Sequence, residues 1–319
     1  MKYYRIIFSP TGGTEKVANA ITKNWKQIET IDLTLLDTDY AKISFEKDSL
    51  VLIAMPSFGG VAPSLALERL SMLKGNGAMC VVTAVYGNRA YEDTLLQMQD
   101  YAQTAGFQVI TAISAVAEHS IIRKYAAGRP NLNDYKELAE FGDRILEKAA
   151  SGALSTPVVP GNKPYKKAGV GMIPKANATC TACGLCAQKC PSGAISADQL
   201  KLSDKSKCIS CMRCVSICPV HARKVSQLMT SVTADESVMV DGKIDMSKVN
   251  AIAFAPYHHG RYDESKSAGN WRSFYSIVVY NEISHTSNYI GTDHCLKFFL
   301  PIDCCHSLAI FWEEERFFP

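Results

Sequence analysis

Cys180-Thr181-Ala182-Cys183-Gly184-Leu185-Cys186-Ala187-Gln188-Lys189-Cys190-Pro191 is one of two stretches around which this chain is organised. The other is Cys208-Ile209-Ser210-Cys211-Met212-Arg213-Cys214-Val215-Ser216-Ile217-Cys218-Pro219. Both read C-x₂-C-x₂-C-x₃-C-P, the spacing by which thiolates hold a [4Fe–4S] cube. Three close cysteines wrap one loop around one cube, while the fourth points away to the cube of the other run. The spacing therefore predicts one metal set of Cys180, Cys183, Cys186 and Cys218, and a second of Cys208, Cys211, Cys214 and Cys190. Zinc sites take pairs of C-x₂-C or Cys/His mixtures, which explains neither the runs of four nor the closing prolines. A disulfide framework needs an oxidising compartment. The opening Met1-Lys2-Tyr3-Tyr4-Arg5-Ile6 instead goes directly into a strand pattern and does not read as a signal peptide.

The two runs repeat with a period of 28 residues (208 minus 180), and Ala194 and Ala222 match as well. From about Ala176 to Val225 the segment resembles the two-cluster bacterial ferredoxins. That resemblance implies a pseudo-twofold α+β module with one hairpin and one short helix per half. Ala194-Ile195-Ser196 and Leu200-Lys201-Leu202 are read as a hairpin, and Val220 to Met229 as a closing helix. So small a module has little core without its metal, so its folding is expected to depend on it.

The whole chain has 319 residues, 47% hydrophobic and 20% charged, with a net charge of +3. Such a balance describes a globular protein of two or three domains and implies neither a nucleic-acid nor a membrane partner. No apolar run approaches the length of a membrane span. Eight of the twelve cysteines fall in the two runs. Oxygen-labile clusters imply an anaerobic setting and a reducing cytoplasm.

Upstream, Tyr4 to Phe8 is a short apolar run, followed by Ser9-Pro10-Thr11-Gly12-Gly13-Thr14 and a helical pattern with Val17, Ala18, Ile21 and Trp25 on one face. A strand, a Gly/Thr loop and a helix N-terminus together make an anion site, because backbone N–H groups converge where the helix dipole is positive. Ser49 to Met55 is a buried strand ending in Pro56-Ser57-Phe58-Gly59-Gly60, and Ala78 to Val85 another ending in Tyr86-Gly87-Asn88-Arg89-Ala90-Tyr91. Helical patterns follow at Pro63 to Leu73 and Asp93 to Ala105. Val109 to Val116 counts as a fifth strand, which leaves a second strand unplaced, and Asn133 to Ala150 is a closing helix. Alternating strands and helices predict a doubly wound parallel α/β sheet whose ligand sits at the carboxyl ends of the strands.

Met1 to Gly152 resembles a flavodoxin. Its phosphate loop, of the form Ser/Thr-x-Thr-Gly-x-Thr, is matched by Ser9, Thr11, Gly12 and Thr14, with Gly13 at the variable position. The resemblance implies FMN, with its phosphate on this loop. The isoalloxazine would lie between Pro56, Ser57, Phe58 and Gly59 on one side and Tyr86, Gly87, Asn88 and Tyr91 on the other. Phe58, Tyr86 and Tyr91 are the aromatic candidates for stacking on the ring. Cys80 lies within a strand and is read as a buried structural thiol, and His119 is given no role.

Ser151 to Asn177 holds four prolines and Lys163, Lys166, Lys167 and Lys175, the composition of an extended, solvated connector. Expected domain limits are 1–152 for the flavin domain, 153–175 for the linker, 176–230 for the cluster domain and 231–319 for an irregular tail. Within the tail, Val238 to Ile244 reads as a hairpin around Asp241-Gly242, and Val249 to Phe254 as another apolar run. Residues 231–271 resemble the C-terminal end of the flavin-reductase-like split-barrel proteins, with the barrel itself missing. His258-His259, His294-Cys295 and Cys304-Cys305-His306 lack the usual zinc spacing, and Phe298 to Leu300 and Leu308 to Trp312 are apolar.

FMN handles one or two electrons and each cluster one. The chain is thus expected to pass electrons between FMN and two [4Fe–4S] clusters, with redox proteins as partners. The alternative is an enzyme, an FMN-dependent oxidoreductase in which the clusters feed reduction of a small substrate, with Tyr86, Tyr91 or Arg89 as proton donor. No catalytic acid–base pair stands out.

Overall fold

The computed structural model describes residues 1–226, apart from 153, 169 and 170, together with the backbone of Val278–Tyr280. The sequence-based readings at 227–319 therefore lie outside the described residues, except for that three-residue stretch: the closing helix beyond Ser226, the tail hairpin, the split-barrel likeness, the His and Cys groups and the late apolar runs.

Five strands run parallel: β1 (Lys2–Ile7), β2 (Ile28–Asp32), β3 (Ser49–Pro56), β4 (Met79–Tyr86) and β5 (Gln108–Val116). Their order across the sheet is 2-1-3-4-5, the flavodoxin-like winding. A short strand, β8 (Val278–Tyr280), pairs antiparallel with β5 at the edge. The helices α1 (Gly13–Ile21), α2 (Ser64–Met72), α3 (Thr94–Thr104) and α4 (Leu132–Ser151) cover the two faces.

Strands buried on both faces read as unbroken apolar runs. In β3 and β4 alternate residues divide between two cores. Val51, Ile53, Met55, Cys80 and Val82 pack with α2 and α3, whereas Leu50, Leu52, Ala54 and Val81 pack with α1 and α4. Cys80 is fully buried in the first of these, and burial pushes its thiol well above the ordinary range. On the other face α1 and α4 cross so closely that a Cβ on Gly142 would lie 1.8 Å from the Ile21 carbonyl oxygen. α4 starts on a capping box, in which the Asn131 side chain accepts from Asn133 N (2.9 Å) and Asp134 N (3.1 Å) and Asp134 accepts from Asn131 N.

The stretch expected to be a solvated connector is fastened to the α/β domain. The Asp93 carboxylate, at the N-cap of α3, accepts from Asn162 N (2.8 Å) and Lys166 N (2.6 Å). Lys163 pairs with Asp100 and Lys166 with Glu92, each at 2.5 Å. Two of the lysines thus find acidic partners within the same chain.

Beyond it the cysteine segment repeats its backbone as well as its residues. The short helices α5 (Leu185–Gln188) and α6 (Arg213–Ser216) are 28 positions apart. So are the left-handed residues Ala182 and Ser210 (φ 57 and 56), Gly184 and Met212 (77 and 59), and Gly193 and His221 (63 and 49). Two elements differ from expectation. Residues 194–202 form a 3-10 turn at Ala197–Gln199 rather than a hairpin, because the Ser196 hydroxyl caps it by accepting from Asp198 N at 3.2 Å. Instead of entering a helix, Arg223–Lys224 form β7, which pairs antiparallel with β6 (Lys175–Ala176). The reason is Arg223, which is 2% exposed and donates to the carbonyls of Pro174, Leu200 and Leu202, fixing the chain in an extended course.

Candidate functional site

The parallel registers Ile7↔Ala54 and Pro56↔Val85 bring the ends of β1, β3 and β4 to one edge of the sheet. All three sequence-predicted loops leave from that edge. In the first, Gly12 is the N-cap of α1 with φ 89, a left-handed conformation natural to glycine, which has no side chain of its own to cap the helix. A Cβ at Gly12 would meet nothing within 4 Å. Ser9 is buried and its Oγ accepts from Glu15 N at 2.9 Å, while Thr14 is buried and Thr11 exposed. A helix start capped among the described residues only by Ser9 at Glu15 N, beside open space and in a loop without acidic groups before Glu15, fits a phosphate.

In the second loop Pro56 ends β3, Phe58 N donates to Val61 O (2.8 Å), and Gly59 is exposed. The Ser57 hydroxyl accepts from the Thr94 hydroxyl at 2.8 Å, tying the loop to α3. In the third, Tyr86 and Tyr91 meet edge to face with ring centroids 5.3 Å apart, and Asn88 is exposed in a left-handed turn. Phe58 and Tyr91 are half-buried and Tyr86 is buried.

His119, given no role by its sequence context, lies beneath this third loop. A Cβ on Gly87 would come within 2.4 Å of its ring. Its Nδ1 accepts from Ile121 N (3.1 Å) and Ile122 N (3.0 Å). Burial, and then the charge of Arg89, hold its pKa below the ordinary histidine value. A histidine whose folded pKa is depressed stabilises the fold above its unfolded pKa, and that stability is lost as pH falls through about 6.5 and below. The unfolding midpoint of the α/β domain is expected to drop between pH 7.5 and 5.5, and to drop less in His119→Asn, whose amide oxygen accepts without titrating. An equal drop in both proteins would remove His119 as the cause.

Downstream, the cysteines gather in two hollows. One is lined by Cys180, Cys183, Cys186 and Cys218, with Leu200 and Arg223. Cys190, Cys208, Cys211 and Cys214 line the other, with Ile195 and Arg213. Their volumes, about 340 and 320 Å³ including space open to solvent, are close enough to suit two equal groups. Each hollow takes three cysteines from one run and one from the other. The crossing residues are matched in detail, since Cys190 Sγ accepts from Ala194 N and Cys218 Sγ from Ala222 N, both at 3.3 Å. Among the described residues no three His, Cys, Asp or Glu side chains converge as a single ion would require. Each quartet instead borders a volume, which suits a polynuclear cluster.

Four of these thiols are shifted from the ordinary value. Burial pushes Cys211 up to about 11 and Cys214 up to about 12, and raises Cys208. For Cys218 burial acts upward too, but the N–H groups of Arg223, Ala222 and Val220 outweigh it and hold the thiol below its ordinary value.

Sequence reading missed Arg69 and Ile209. Arg69, on α2 and 6% exposed, donates to Leu33 O (2.6 Å) and to Pro191 O (2.7 Å), the residue after Cys190. Ile209 packs against the α2/α3 core. The second hollow is thereby seated on the α/β domain. Nothing in either local sequence announces a contact between residues 122 positions apart.

The family model described as a 4Fe-4S dicluster domain matches residues 179–223. No curated protein sequence matches the chain. Among solved structures, a flavodoxin from the domain Archaea is similar at 16% identity, over 47% of this chain and 99% of its own, with a TM-score of 0.35. The flavodoxin of Fusobacterium nucleatum bound to flavin mononucleotide gives 15%, 46%, 99% and 0.32 for the same measures. The Flv1 flavodiiron core from Synechocystis sp. PCC6803 gives 17%, 48%, 36% and 0.35. The strand order carries the fold assignment. A flavodoxin-like α/β domain is joined to a 4Fe-4S dicluster segment, the arrangement of a flavodoxin–ferredoxin fusion. That combination is suited to redox electron transfer. Among the described residues no helix is long and apolar enough to cross a membrane.

Proposed function

We propose that this chain is an electron-transfer protein that passes electrons between FMN and two [4Fe–4S] clusters. The observation that carries this reading is the pair of cysteine hollows, each completed by a crossing cysteine. Cys180, Cys183, Cys186 and Cys218 hold one cluster, and Cys190, Cys208, Cys211 and Cys214 the other. Backbone N–H groups around Gly12, Gly13 and Thr14 and the hydroxyls of Ser9 and Thr11 hold the FMN phosphate. The loops at Pro56–Gly59 and Tyr86–Tyr91 flank its ring. When bound, the flavin supplies one- and two-electron chemistry and the clusters supply one-electron chemistry. The protein's part is to bind, to orient and to limit water. Working domain limits are 1–152, 153–175 and 176–230, and the partners are other redox proteins in a reducing cytoplasm.

Anaerobic reconstitution with iron, sulfide and FMN tests the reading. About eight irons and one flavin per chain are expected; four irons, or no retained flavin, would overturn it.

One variant isolates the flavin loop. Gly12→Val is expected to weaken flavin binding at least tenfold, because a β-branched residue at φ 89 is strained and its bulk enters the open space at the helix start. Iron content should stay at the wild-type level. Equal flavin affinity in a fluorescence titration would take this loop out of the site.

A further inference from the structure

We propose that Arg223 and Arg213 are cluster-facing cations, one for each hollow, that raise the reduction potential of the cluster beside them, Arg223 more strongly than Arg213. The inference rests on the two-cluster reading above. Arg223 lines the hollow of Cys180, Cys183, Cys186 and Cys218, and Arg213 lines the hollow of Cys190, Cys208, Cys211 and Cys214. In both arginines the Nε is buried and has no hydrogen-bond partner among the described residues. The described ion pairs include neither arginine. A buried N–H without an acceptor is costly, and a sulfur-rich anion in the hollow supplies one.

The repeat shows that these cations are additions to the frame. Twenty-eight positions earlier the counterparts of Arg213 and Arg223 are Leu185 and Ile195. Both cations therefore come from the second half, yet each hollow receives one. Cys218 crosses to the first hollow, and Arg223, five residues on, lines it too. Its Nη1 reaches Pro174 and Ser203 on the lining of the other hollow, and its charge also acts on Cys208 and Cys214.

Their surroundings differ. Arg223 is 2% exposed, its Nη1 donating to Pro174 O (3.1 Å) and Ser203 Oγ (2.7 Å) and its Nη2 to Leu202 O (3.2 Å) and Leu200 O. Arg213 is half-buried. A thiolate-ligated [4Fe–4S] cluster is anionic, and an added electron makes it more so. A fixed positive charge opposes that build-up, with an effect that grows as the local dielectric falls. The buried guanidinium acts in the less polar surroundings and so has the larger effect.

The test uses the full chain reconstituted anaerobically as wild type, R223M, R213M and R223K, with iron counts and a potentiometric titration followed by electron paramagnetic resonance. Wild type should hold about eight irons and show two one-electron contributions. Four irons and one contribution would defeat the two-cluster reading itself, a result separable from any failure of the present proposal. R223M should lower the potential of one contribution most and the second by less, R213M should lower the second alone and by less than R223M lowers the first, and R223K should stay near wild type. The proposal is overturned if neither contribution moves, if the largest shift in both variants falls on the same contribution, or if R223K shifts as far as R223M. Should R223M fail to keep both clusters, R213M must still lower one contribution alone and R223K must leave both in place. Any other result in that pair overturns the proposal. A purely structural role would change iron content or thermal stability and leave the potentials of assembled clusters unmoved.

Discussion

A chain carrying Cys190→Ala is expected to leave anaerobic reconstitution with about four irons in place of about eight, its flavin content unchanged. Cys190 belongs to the first run in sequence but lines the hollow of Cys208, Cys211 and Cys214. It is buried, and its sulfur already accepts the Ala194 N–H. Alanine removes one of the four cysteines that line that hollow and none from the other. Double variants locate the loss. Adding Cys208→Ala should remove little further iron, since it strikes the hollow already emptied. Adding Cys183→Ala should remove nearly all that remains. The reverse pattern would show that the fourth cysteines do not cross.

Arg69→Met is expected to destabilise the α/β domain by about 3 kcal/mol and to loosen the cysteine segment from it. Methionine preserves much of the buried stem but donates no hydrogen bonds. The carbonyls of Leu33 and Pro191 would both lose a charged donor in a buried setting. The guanidinium also lies over the Tyr40 ring, 5.5 Å from its centroid. The measurements are the denaturant midpoint of the α/β domain and the rate of tryptic cleavage at Lys163, Lys166, Lys167 and Lys175. Unchanged midpoint and cleavage would mean that the contact ties nothing together.

Much of this arrangement is legible in the sequence, for identifiable reasons. β3 and β4 are buried on both faces, so their apolar runs are unbroken and their ends are marked by the loops that follow. β2 escaped placement because it is an edge strand in which only Ile31 is buried. The cysteine quartets that line the two hollows match the sets the spacing predicts, since a crossing fourth cysteine is a property of the repeat. What local reading could not give is any feature whose partner is distant in sequence. His119 acquires meaning only when Gly87 is laid against it, and Arg69 only when Pro191 arrives. Lys166 reads as a solvated charge until the fold sets Glu92 beside it. Arg223 is an intermediate case. Aligning the two halves of the repeat sets it against Ile195, a mismatch that the residues alone display. The helix expected at Val220 gives way to the acceptors that this arginine requires.

The clasp at Asp93 changes the length of chain that separates the two halves of the molecule. Counted from the end of α4, the connector is more than twenty residues; counted from Lys166, where the clasp ends, only eight (167–174) remain before Lys175 opens β6. A leash that short confines whatever it carries to an effective concentration on the order of millimolar. Should the Arg69 contact open, the cysteine segment would, under the proposed function, still be the nearest exchange partner of the loops at the strand ends of the α/β domain. A rival carrier free in solution would have to approach that same concentration to compete, so the leash favours traffic within one chain over traffic between chains.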